Sequence, residues 1–433
     1  MPRWTQSSCT CGDPVTVRGQ EAGGPRARGA PASVLIVHNR YRQAGGEDTV
    51  VAAERGLLAS RGHRVELLEV DNNDLPDPSG IVGRVRLARE TIWSEGAARR
   101  VASAAKAVHA DVVHIHNFLP QLSPAIHGAS RATGAAVVQT LHNYRLVCPA
   151  ATLLRDGHIC EDCRGLPVAA PAVVHGCYRD SRAQSAVVSA MLAVHRLRHT
   201  WTRDVDAFIA LTPFMSRIVA DGGLPRRRIH VKPNFVDRAT ARVDTAIAER
   251  TGVLFVGRLS PEKGLATLLA AWRLASLPTT LRIVGGGQLE PEAAALAAVD
   301  TSVTVVGEAS RERVVEEMSR AAILVVPSLW YEGAPLVIVE AFAAGLPVVA
   351  SDLGPMRDMI DEGRTGRLST AGDPTALASV LRDMTSDAAT LRAMGGAARV
   401  EYETRYTADA NYPLLLDIYG SAIAHRRSER SRG

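Results

Sequence analysis

The sequence predicts a parallel α/β protein made of two successive Rossmann-like domains that face each other across a cleft. From Ser33 onward, short β-branched apolar runs alternate with amphipathic helical stretches, a pattern typical of a parallel sheet covered by helices. A second series of the same kind begins at Gly252. The chain has 433 residues, which is too long for one ordinary core, so two or more domains are expected.

The first series contains five apolar runs that we interpret as strands. They are residues 33–38, 65–70, 111–116, 136–141 and 206–211. A glycine-containing loop, 43–47, follows the first run and leads into a helix that ends near Ser60. Thr212-Pro213 predicts another helix start, because Thr caps a helix and Pro is tolerated at its first position.

The second series is interpreted in the same way. Its predicted strands are residues 252–257, 281–284, 303–306, 323–326 and 347–350. Asp373-Pro374 again marks a helix start. We therefore expect a first domain over 33–235, a second over 236–405, and a last helix over 406–425 that crosses back to the first domain.

Two segments fall outside this rhythm. Residues 1–32 are rich in Gly, Pro and Arg and lack the apolar segment of a secretory signal. We expect a disordered tail there, or a stretch included through a misassigned translation start. The segment 142–205 is an insertion with four cysteines and a predicted amphipathic helix over 185–201, and such insertions commonly carry function.

Composition excludes several classes of protein. An apolar fraction of 46% and a charged fraction of 22% are typical of a soluble globular protein, and no run of about 18 apolar residues suggests a membrane-spanning helix. Aromatic residues make up 4% and are not interleaved with basic ones, so nucleic-acid binding is not expected. We expect a cytoplasmic protein. Its net charge of +5 and pI near 9.0 reflect either a GC-rich genome or a basic face for anionic lipid.

The loop after Gly257 is a candidate phosphate site. It carries Arg258 and Lys263, followed by Gly264 at the start of the next predicted helix. Parallel sheets bind ligands at the carboxyl ends of their strands, and two cations there suit the two phosphates of a nucleotide diphosphate. A solvated turn with unrelated charges is the alternative for this loop alone.

The segment from Trp330 to Glu340 strengthens the phosphate interpretation. Gly333 permits close backbone approach, and Pro335 precedes a predicted helix whose first N–H groups can bind a phosphate oxygen. Glu340 lies in an otherwise apolar helix, where an acid needs a partner. A ribose diol is one such partner, and an interdomain salt bridge is the alternative.

Together these motifs resemble the retaining glycosyltransferases of the GT-B fold, family 4. The paired glutamates and the Gly-Arg-Leu-x-x-x-Lys-Gly loop carry the resemblance, which covers the chain from Ser33 to about Tyr419. It implies that Arg258 and Lys263 neutralise the diphosphate, that Glu332 lies beside the donor sugar, and that Glu340 binds the ribose. The further donor-binding residues that it implies are Gly45, Gly46, Gly257, Gly285, Gly333, Ala334, Pro335 and Leu336.

The resemblance also carries implications for mechanism. His142 follows the predicted strand 136–141, and in the family a histidine here lies close to the anomeric carbon; His116, at the end of 111–116, is a second candidate. The resemblance implies retention of the anomeric configuration without a catalytic metal or other cofactor. The departing phosphate then accepts the proton of the acceptor, which is a glycan or a lipid-linked glycan. The donor is a UDP-, GDP- or ADP-sugar.

Three other functions are alternatives to a glycosyltransferase. A nucleotide-sugar 2-epimerase shares the scaffold, and a non-catalytic nucleotide-sugar-binding assembly subunit would keep Glu340. The presence of both loop cations and both glutamates argues against the latter. An oxidoreductase is disfavoured, because no Gly-x-Gly-x-x-Gly follows the first strand of either half.

The insertion contains a cysteine cluster consisting of Cys148, Cys160, Cys163 and Cys177. Four thiolates, two of them spaced Cys-x-x-Cys, can surround a tetrahedral zinc ion. A structural zinc ion, reduced free cysteines, and a redox or iron–sulfur role are the alternatives, and disulfides are disfavoured in the cytoplasm.

Basic residues on the predicted helices suggest where the protein binds its acceptor. Arginines interleaved with apolar residues lie on predicted helices of the first domain at Arg84, Arg86, Arg89, Arg99 and Arg100. The helix 185–201 has a second basic group at 195–199. Both could rest on an anionic membrane, at the inner face of the plasma membrane, and reach a lipid-linked acceptor. A merely solvated basic face is the alternative.

Overall fold

Two six-stranded sheets organise the protein, and all strands within each sheet run parallel. The computed structural model describes residues 33–42, 45–75, 80–237 and 250–431. The tail predicted over 1–32 lies outside these ranges. So do residues 238–249, which follow the predicted boundary between the two domains. The paired parallel sheets with flanking helices confirm the predicted α/β class.

The first sheet begins at Ser33. The strands of this half are β1 (Ser33–Arg40), β2 (Arg64–Asp71), β3 (Val112–Ile115), β4 (Ala136–Leu141), β5 (Leu154–Arg155), β6 (His158–Ile159), β7 (Ala207–Ala210) and β8 (Ile229–Val231). The order in the sheet is β2-β1-β3-β4-β7-β8, while β5 and β6 form a separate antiparallel hairpin. The helices are α1 (Gly46–Ser60), α2 (Gly80–Ile92), α3 (Glu95–Ala107), α4 (Ala125–Ala132), α5 (Ala170–His175), α6 (Arg182–Leu197) and α7 (Pro213–Asp221).

The second sheet repeats the arrangement. Its strands are β9 (Val253–Val256), β10 (Leu281–Val284), β11 (Val303–Gly307), β12 (Ile323–Val326), β13 (Val348–Ser351) and β14 (Gly366–Ser369), in the order β11-β10-β9-β12-β13-β14. The helices are α8 (Leu265–Ala275), α9 (Glu290–Val299), α10 (Arg311–Arg320), α11 (Leu336–Ala343), α12 (Pro355–Met359), α13 (Pro374–Ser386), α14 (Ala388–Glu401) and α15 (Ala408–Arg430).

Each sheet is buried on both faces, which explains its continuous apolar strands. In β1, Val34 and Ile36 join the core on one face, while Leu35 and Val37 join the core on the other. Strands covered on both sides have no solvent-facing positions to make polar. The carboxyl ends of β9 and β12 are therefore the places where polar loops can begin.

The last helix lies against the first sheet rather than the second. Leu415, Ile418 and Tyr419 of α15 belong to the same buried cluster as Val34 and Ile36. The helix differs from the predicted range 406–425: Thr407 accepts a hydrogen bond from the Ala410 N–H and so caps a helix that begins at Ala408 and runs on to Arg430. Beyond the predicted end at residue 425, Glu429 pairs with Arg131 of α4.

Other boundaries also differ from the predictions. The helix predicted over 185–201 is α6, which starts earlier because Ser181 caps it and stops at Leu197. His199 has a φ of 58° there, a left-handed conformation that ends a right-handed helix. β8 and β14 were not predicted, since His230, Gly366 and Arg367 interrupt their apolar patterns. Both are edge strands.

None of the helices in the described part of the chain combines the length and apolar character needed to cross a membrane.

Candidate functional site

One wall of the site consists of the loops after β9, β10 and β12. We call it the donor wall and define it by Arg258, Lys263, Glu332, Gly333 and Glu340. Gly264 has a φ of 72°, and a Cβ there would lie 1.9 Å from the Pro327 carbonyl oxygen. Only glycine can take this conformation in so small a space. The glycine thereby holds the loop after β9 against the loop after β12.

The turn after β10 fits closely against the same loop. A Cβ on Gly285 would lie 2.0 Å from the Gly257 carbonyl oxygen, and one on Gly287 would lie 2.6 Å from that of Leu259. The Leu259 N–H donates to the Gly286 carbonyl oxygen, with an N–O distance of 2.9 Å. The three loops therefore form one backbone surface at the carboxyl ends of the strands.

An ion pair lies at the centre of the donor wall. Lys263 Nζ is 2.7 Å from Glu332 Oε1, and the Ser328 hydroxyl donates to the same oxygen at 2.8 Å. Glu332 is 6% exposed, so its charge is largely removed from water. Of the two cations expected together, Lys263 reaches Glu332, whereas Arg258 lies 3.7 Å from Glu262 with a side chain that is 56% exposed.

Glu340 occupies the first turns of α11, as the sequence predicts. Its Oε1 lies 3.7 Å from Arg311 Nη2, on α10 of the same domain. The interdomain salt bridge considered as an alternative is thus not the contact that Glu340 makes. Burial raises the pKa of Glu340, and Arg311 opposes that shift. A carboxylate in this position gains from any hydroxyl that donates to it.

The opposite wall comes from the first domain. We call it the facing wall and define it by Gly45, Gly46, His142 and Tyr144. His142 follows β4 directly, and a Cβ on Gly333 would lie 2.4 Å from its carbonyl oxygen. The Tyr144 hydroxyl donates to the Glu332 carbonyl oxygen at 3.1 Å. The two walls therefore touch at His142, as the placement of both at strand ends predicts.

The glycine loop closes the same cleft from another side. Gly46 begins α1, and a Cβ there would lie 3.1 Å from Leu336 Cδ1 at the start of α11. Asp48 accepts a hydrogen bond from the Gly45 N–H at 2.8 Å and pairs with His38 at 2.8 Å. This carboxylate therefore fixes the loop next to the donor wall. Residues 43 and 44 of the predicted loop lie outside the described residues.

His142 is not isolated. Its Nε2 is 3.0 Å from His116 Nδ1, and the two rings are stacked with centroids 5.2 Å apart. Burial lowers the pKa of His142 to about 4, so the ring is neutral near pH 7. A neutral imidazole can donate one hydrogen bond and accept another.

Sequence reasoning missed several polar residues of the site. Tyr144, Ser328 and Arg311 contact the predicted residues but belong to no motif. Burial, followed by the neighbouring Asp48, raises the pKa of Glu47 to about 8. Glu47 is the last residue of the predicted loop 43–47, but this position is a weak signal, because acids at helix starts are common without any function.

The cysteine cluster lies in the insertion, and all four thiols are free. Cys160 follows the β5–β6 hairpin and Cys177 follows α5. Burial raises the pKa of Cys163 to about 11, and the thiols of the other three members add to the shift. Among the described residues, two groups of three metal-capable side chains have their ligand atoms within 4.8 Å of one another, and neither includes a cysteine.

The two predicted basic surfaces differ in how many of their members are exposed. All three arginines of α2 are exposed. In the group at 195–199, His195 is fully buried and hydrogen-bonds to the Thr200 hydroxyl and the Ile92 carbonyl oxygen, whereas Arg198 and His199 are exposed. Arg198 lies over the ring of Trp93 at 4.4 Å. This group therefore offers a smaller basic surface than its sequence suggests.

Comparison with known proteins agrees with this architecture. Residues 44–240 match the model of Glycosyltransferase Family 4, and residues 250–387 match that of Glycosyl transferases group 1. D-inositol 3-phosphate glycosyltransferase 1 of Catenulispora acidiphila is 30% identical over 336 residues, which cover 72% of each chain. The amylovoran biosynthesis glycosyltransferase AmsK of Erwinia amylovora is 29% identical over 209 residues, 45% of this chain and 51% of AmsK.

The match to some curated relatives is partial. The chain spans about half the length of AmsK and of the D-inositol 3-phosphate glycosyltransferase of Streptomyces avermitilis, at 51% and 45%. Among solved structures, Anabaena HepE in complex with UDP superposes with a TM-score of 0.64 at 16% identity, covering 90% of this chain and 100% of HepE. Sucrose-phosphate synthase of Thermosynechococcus elongatus gives 0.65 at 20% identity, covering 91% and 99%. The chain belongs to glycosyltransferase family 4 and has the GT-B fold.

Proposed function

We propose that this protein transfers a sugar from a nucleoside-diphospho-sugar to a hydroxyl group of a glycan or lipid-linked glycan, with retention of the anomeric configuration. The observation that carries the proposal is the contact between the two walls. The Lys263–Glu332 pair and the N-terminus of α11 lie on one side, and the neutral His142 lies on the other. A donor held between them has its phosphates and its sugar in different chemical surroundings.

The donor wall suits the leaving group. As the bond between the anomeric carbon and the diphosphate breaks, negative charge grows on the phosphate oxygens. Lys263, Arg258 and the free N–H groups at the start of α11 supply positive charge where it develops. These groups are the reason for proposing a reaction that needs no catalytic metal or other cofactor.

The proposed transfer needs no separate strong base. The bond from the anomeric carbon to the diphosphate oxygen breaks, and a bond from that carbon to the acceptor oxygen forms on the same face of the sugar. The acceptor proton passes to the departing phosphate oxygen, and the nucleoside diphosphate leaves. Glu332 and His142 orient the sugar hydroxyls through hydrogen bonds.

A thermal-shift screen over UDP-, GDP- and ADP-sugars tests the donor. HepE was solved with UDP and with UDP-glucose, which makes UDP-sugars the first to examine. The cognate donor should raise the melting temperature by mass action, and product analysis by NMR should show retention. Transfer with inversion would overturn the proposed stereochemistry, and epimerised donor without transfer would favour the 2-epimerase alternative.

A panel of candidate compounds tests the identity of the acceptor. The relative from Catenulispora is named for D-inositol 3-phosphate, so this compound belongs in the panel beside glycan and lipid-linked acceptors. Transfer to none of them, despite donor binding, would favour a binding subunit over an enzyme.

We further propose that α2 rests on an anionic membrane. Ile81, Val82 and Val85 are 80%, 83% and 62% exposed, which is unusual for apolar side chains so close together. Arg84, which lies between them, and Arg86, which follows Val85, are also exposed. Apolar side chains that insert and arginines that meet lipid phosphates are the two requirements of an interfacial helix. Such a surface would place the protein peripherally at the cytoplasmic face of the membrane.

Co-sedimentation with vesicles tests the membrane proposal. Vesicles with phosphatidylglycerol should bind the protein and vesicles of phosphatidylcholine should not. A triple change of Ile81, Val82 and Val85 to Ser should abolish binding, whereas Val299→Ser, at another exposed valine (81% exposed), should not. Equal binding by the triple variant would contradict the proposal.

We also propose that the cysteine cluster binds a structural zinc ion. Support comes from the four free thiols of one insertion, whose neighbours contribute to the raised pKa of Cys163. Zinc would hold each sulfur atom at about 2.3 Å. One zinc ion per chain is expected by elemental analysis, falling to none in the Cys160→Ser/Cys163→Ser variant. A folded wild-type protein without zinc would contradict the proposal.

A further inference from the structure

Beneath the facing wall lies a group of buried charged and polar residues that the proposed function does not use. We propose that Glu54, Lys232 and His116 are positioning residues that fix the protonation of His142, so that its Nδ1 is the unprotonated nitrogen. The inference deepens the proposed function, because a fixed acceptor at His142 selects how a sugar hydroxyl is held. Glu54 lies in α1, and His116, His142 and Lys232 directly follow β3, β4 and β8, three strands of the same sheet.

The group starts from a buried ion pair. Glu54 Oε1 is 2.7 Å from Lys232 Nζ, and the side chains are 0% and 1% exposed. The ammonium also contacts the Pro233 carbonyl oxygen at 3.2 Å and Asn411 Oδ1 at 3.5 Å, and lies 5.7 Å from the centroid of the Phe235 ring. Glu54 is therefore the charge partner that makes an ammonium tolerable at this depth.

The other oxygen of Glu54 faces two histidines. Its Oε2 lies 3.5 Å from His116 Nε2 and 3.7 Å from His114 Nδ1. Both nitrogens of His114 are already taken, by the Tyr419 hydroxyl at 2.8 Å and by the Thr140 hydroxyl at 2.7 Å. His116 Nε2 is thus the nitrogen whose proton the carboxylate attracts.

The positions of the protons on His116 and His142 follow from these contacts. A carboxylate can only accept, so the proton of a neutral His116 sits on Nε2 and its Nδ1 is an acceptor. His116 Nδ1 is 3.0 Å from His142 Nε2, which must then be the donor. This leaves His142 Nδ1 without a proton, and within the described ranges no hydrogen bond is made to that atom. Partial exposure of His142 makes the atom available to a ligand.

A metal ion is a less suitable occupant of this group. Ligand atoms of Glu54, His114 and His116 do lie within 4.8 Å of one another. However, the Lys232 ammonium lies 2.7 Å from the same carboxylate and would repel a cation. A divalent ion would also have to displace the hydrogen bonds that occupy both nitrogens of His114. The geometry therefore favours electrostatic support of His116 by Glu54 over a metal site.

Histidine-selective 15N labelling and NMR test the protonation directly. The chain has 13 histidines, and the signals of His142 are identified by their loss in His142→Gln. In the wild-type protein we expect the proton of His142 on Nε2. A proton found mainly on Nδ1 would overturn the inference, whether or not the protein transfers a sugar.

A charge-neutral double variant tests the role of the ion pair. Glu54→Gln alone leaves Lys232 as an unpaired buried ion and is expected to fold poorly. Glu54→Gln/Lys232→Met removes both charges, and a Gln amide can face His116 with either its oxygen or its nitrogen. We expect mixed protonation of His142 and a kcat reduced by about 10- to 100-fold, the range seen when residues that orient a functional histidine are changed, with donor KM close to wild type.

The matched control is an ion pair outside the cleft in which only the carboxylate is buried. Arg282 contacts Glu317, whose side chain is 0% exposed, between β10 and α10. Glu317→Gln/Arg282→Met should keep both the His142 signals and kcat. Unchanged signals and kcat in the Glu54/Lys232 variant would overturn the inference. Absence of transfer by the wild-type protein with every donor would instead refute the proposed function, because the NMR result does not depend on turnover.

Discussion

The two walls of the cleft are built in different ways. The donor wall takes its charged groups from short loops at the ends of neighbouring strands, and Lys263 meets Glu332 directly in the cleft. In the facing wall, His142 lies at the cleft, and the charged residues Glu54 and Lys232 form a buried ion pair beneath it. The difference suggests that the donor wall acts on the ligand by charge, whereas the facing wall acts by a neutral hydrogen-bonding group held in one orientation.

The largest effect is expected from the donor wall. Glu332→Ala removes the partner of Lys263 and of Ser328, so neither the cation nor the sugar is held. We expect kcat to fall by about 10²- to 10³-fold, as for other groups that act on developing charge. Steady-state transfer assays measure this. Glu403→Ala, at an exposed glutamate paired with Arg399, should leave kcat unchanged, and full activity of Glu332→Ala would refute the assignment.

The contact between the walls gives the next largest effect. In Gly333→Ala the new Cβ would lie 2.4 Å from the His142 carbonyl oxygen, so the walls must separate. Because misplacement by about 1 Å can cost a factor of 10², we expect kcat/KM to fall by between about 10- and 100-fold. Gly396→Ala is the control, since a Cβ there meets nothing within 4 Å. Equal kinetics of the two variants would show that the walls need not touch.

Glu340 should affect binding more than turnover. Glu340→Gln keeps the shape of the side chain but weakens an acceptor for the ribose hydroxyls. We expect donor KM to rise about tenfold with kcat little changed, since the ribose contact is the same in the ground and transition states. Glu316→Gln, on the exposed side of α10, provides the comparison. A fall in kcat alone would place Glu340 at the reacting sugar instead.

The smallest effect concerns the dependence of stability on pH. The pKa of His142 is lowered to about 4 and that of Glu47 is raised to about 8. Unfolded His142 binds a proton that the folded form rejects between about pH 6.5 and 4, so its contribution falls as the pH falls. Folded Glu47 keeps a proton that the unfolded form releases above about pH 4.5, so its contribution falls as the pH rises toward 8.

Denaturant titrations from pH 4 to 8 separate the two groups. The stability difference between the wild-type protein and His142→Gln should shrink as the pH falls from about 6.5 to 4, and that between the wild-type protein and Glu47→Gln should shrink as the pH rises from about 4.5 to 8. Each slope is at most about 1.4 kcal/mol per pH unit. Slopes of the opposite sign would show that burial does not control these two groups.

The contrast between the walls also explains what the sequence could predict. Strand positions and the donor loops are local patterns, so Arg258, Lys263, Glu332 and Glu340 could be placed at one sheet edge before the structure was examined. The contact between Gly333 and His142 follows from the same rule. Arg258, in contrast, points toward Glu262 rather than Glu332, a choice of rotamer that no pattern encodes.

The support of the facing wall could not be predicted, because its members are far apart in sequence. Glu54 looks like one more acid in an amphipathic helix, and Lys232 looks like a solvated residue between domains. Their pairing depends on β8, which the sequence pattern did not reveal. The late end of α15 depends likewise on a distant contact, the pairing of Glu429 with Arg131 in α4.

The most direct test of the account is the affinity of the cognate nucleoside diphosphate for the donor wall. Isothermal titration calorimetry would compare the wild-type protein with Lys263→Met and with Lys106→Met, a change at an exposed lysine of α3. We expect Lys263→Met to bind about 10- to 100-fold more weakly, as for the loss of a charge-assisted hydrogen bond of about 1.5–3 kcal/mol, and Lys106→Met to bind normally. Wild-type affinity in Lys263→Met would contradict the claim that this loop binds the diphosphate.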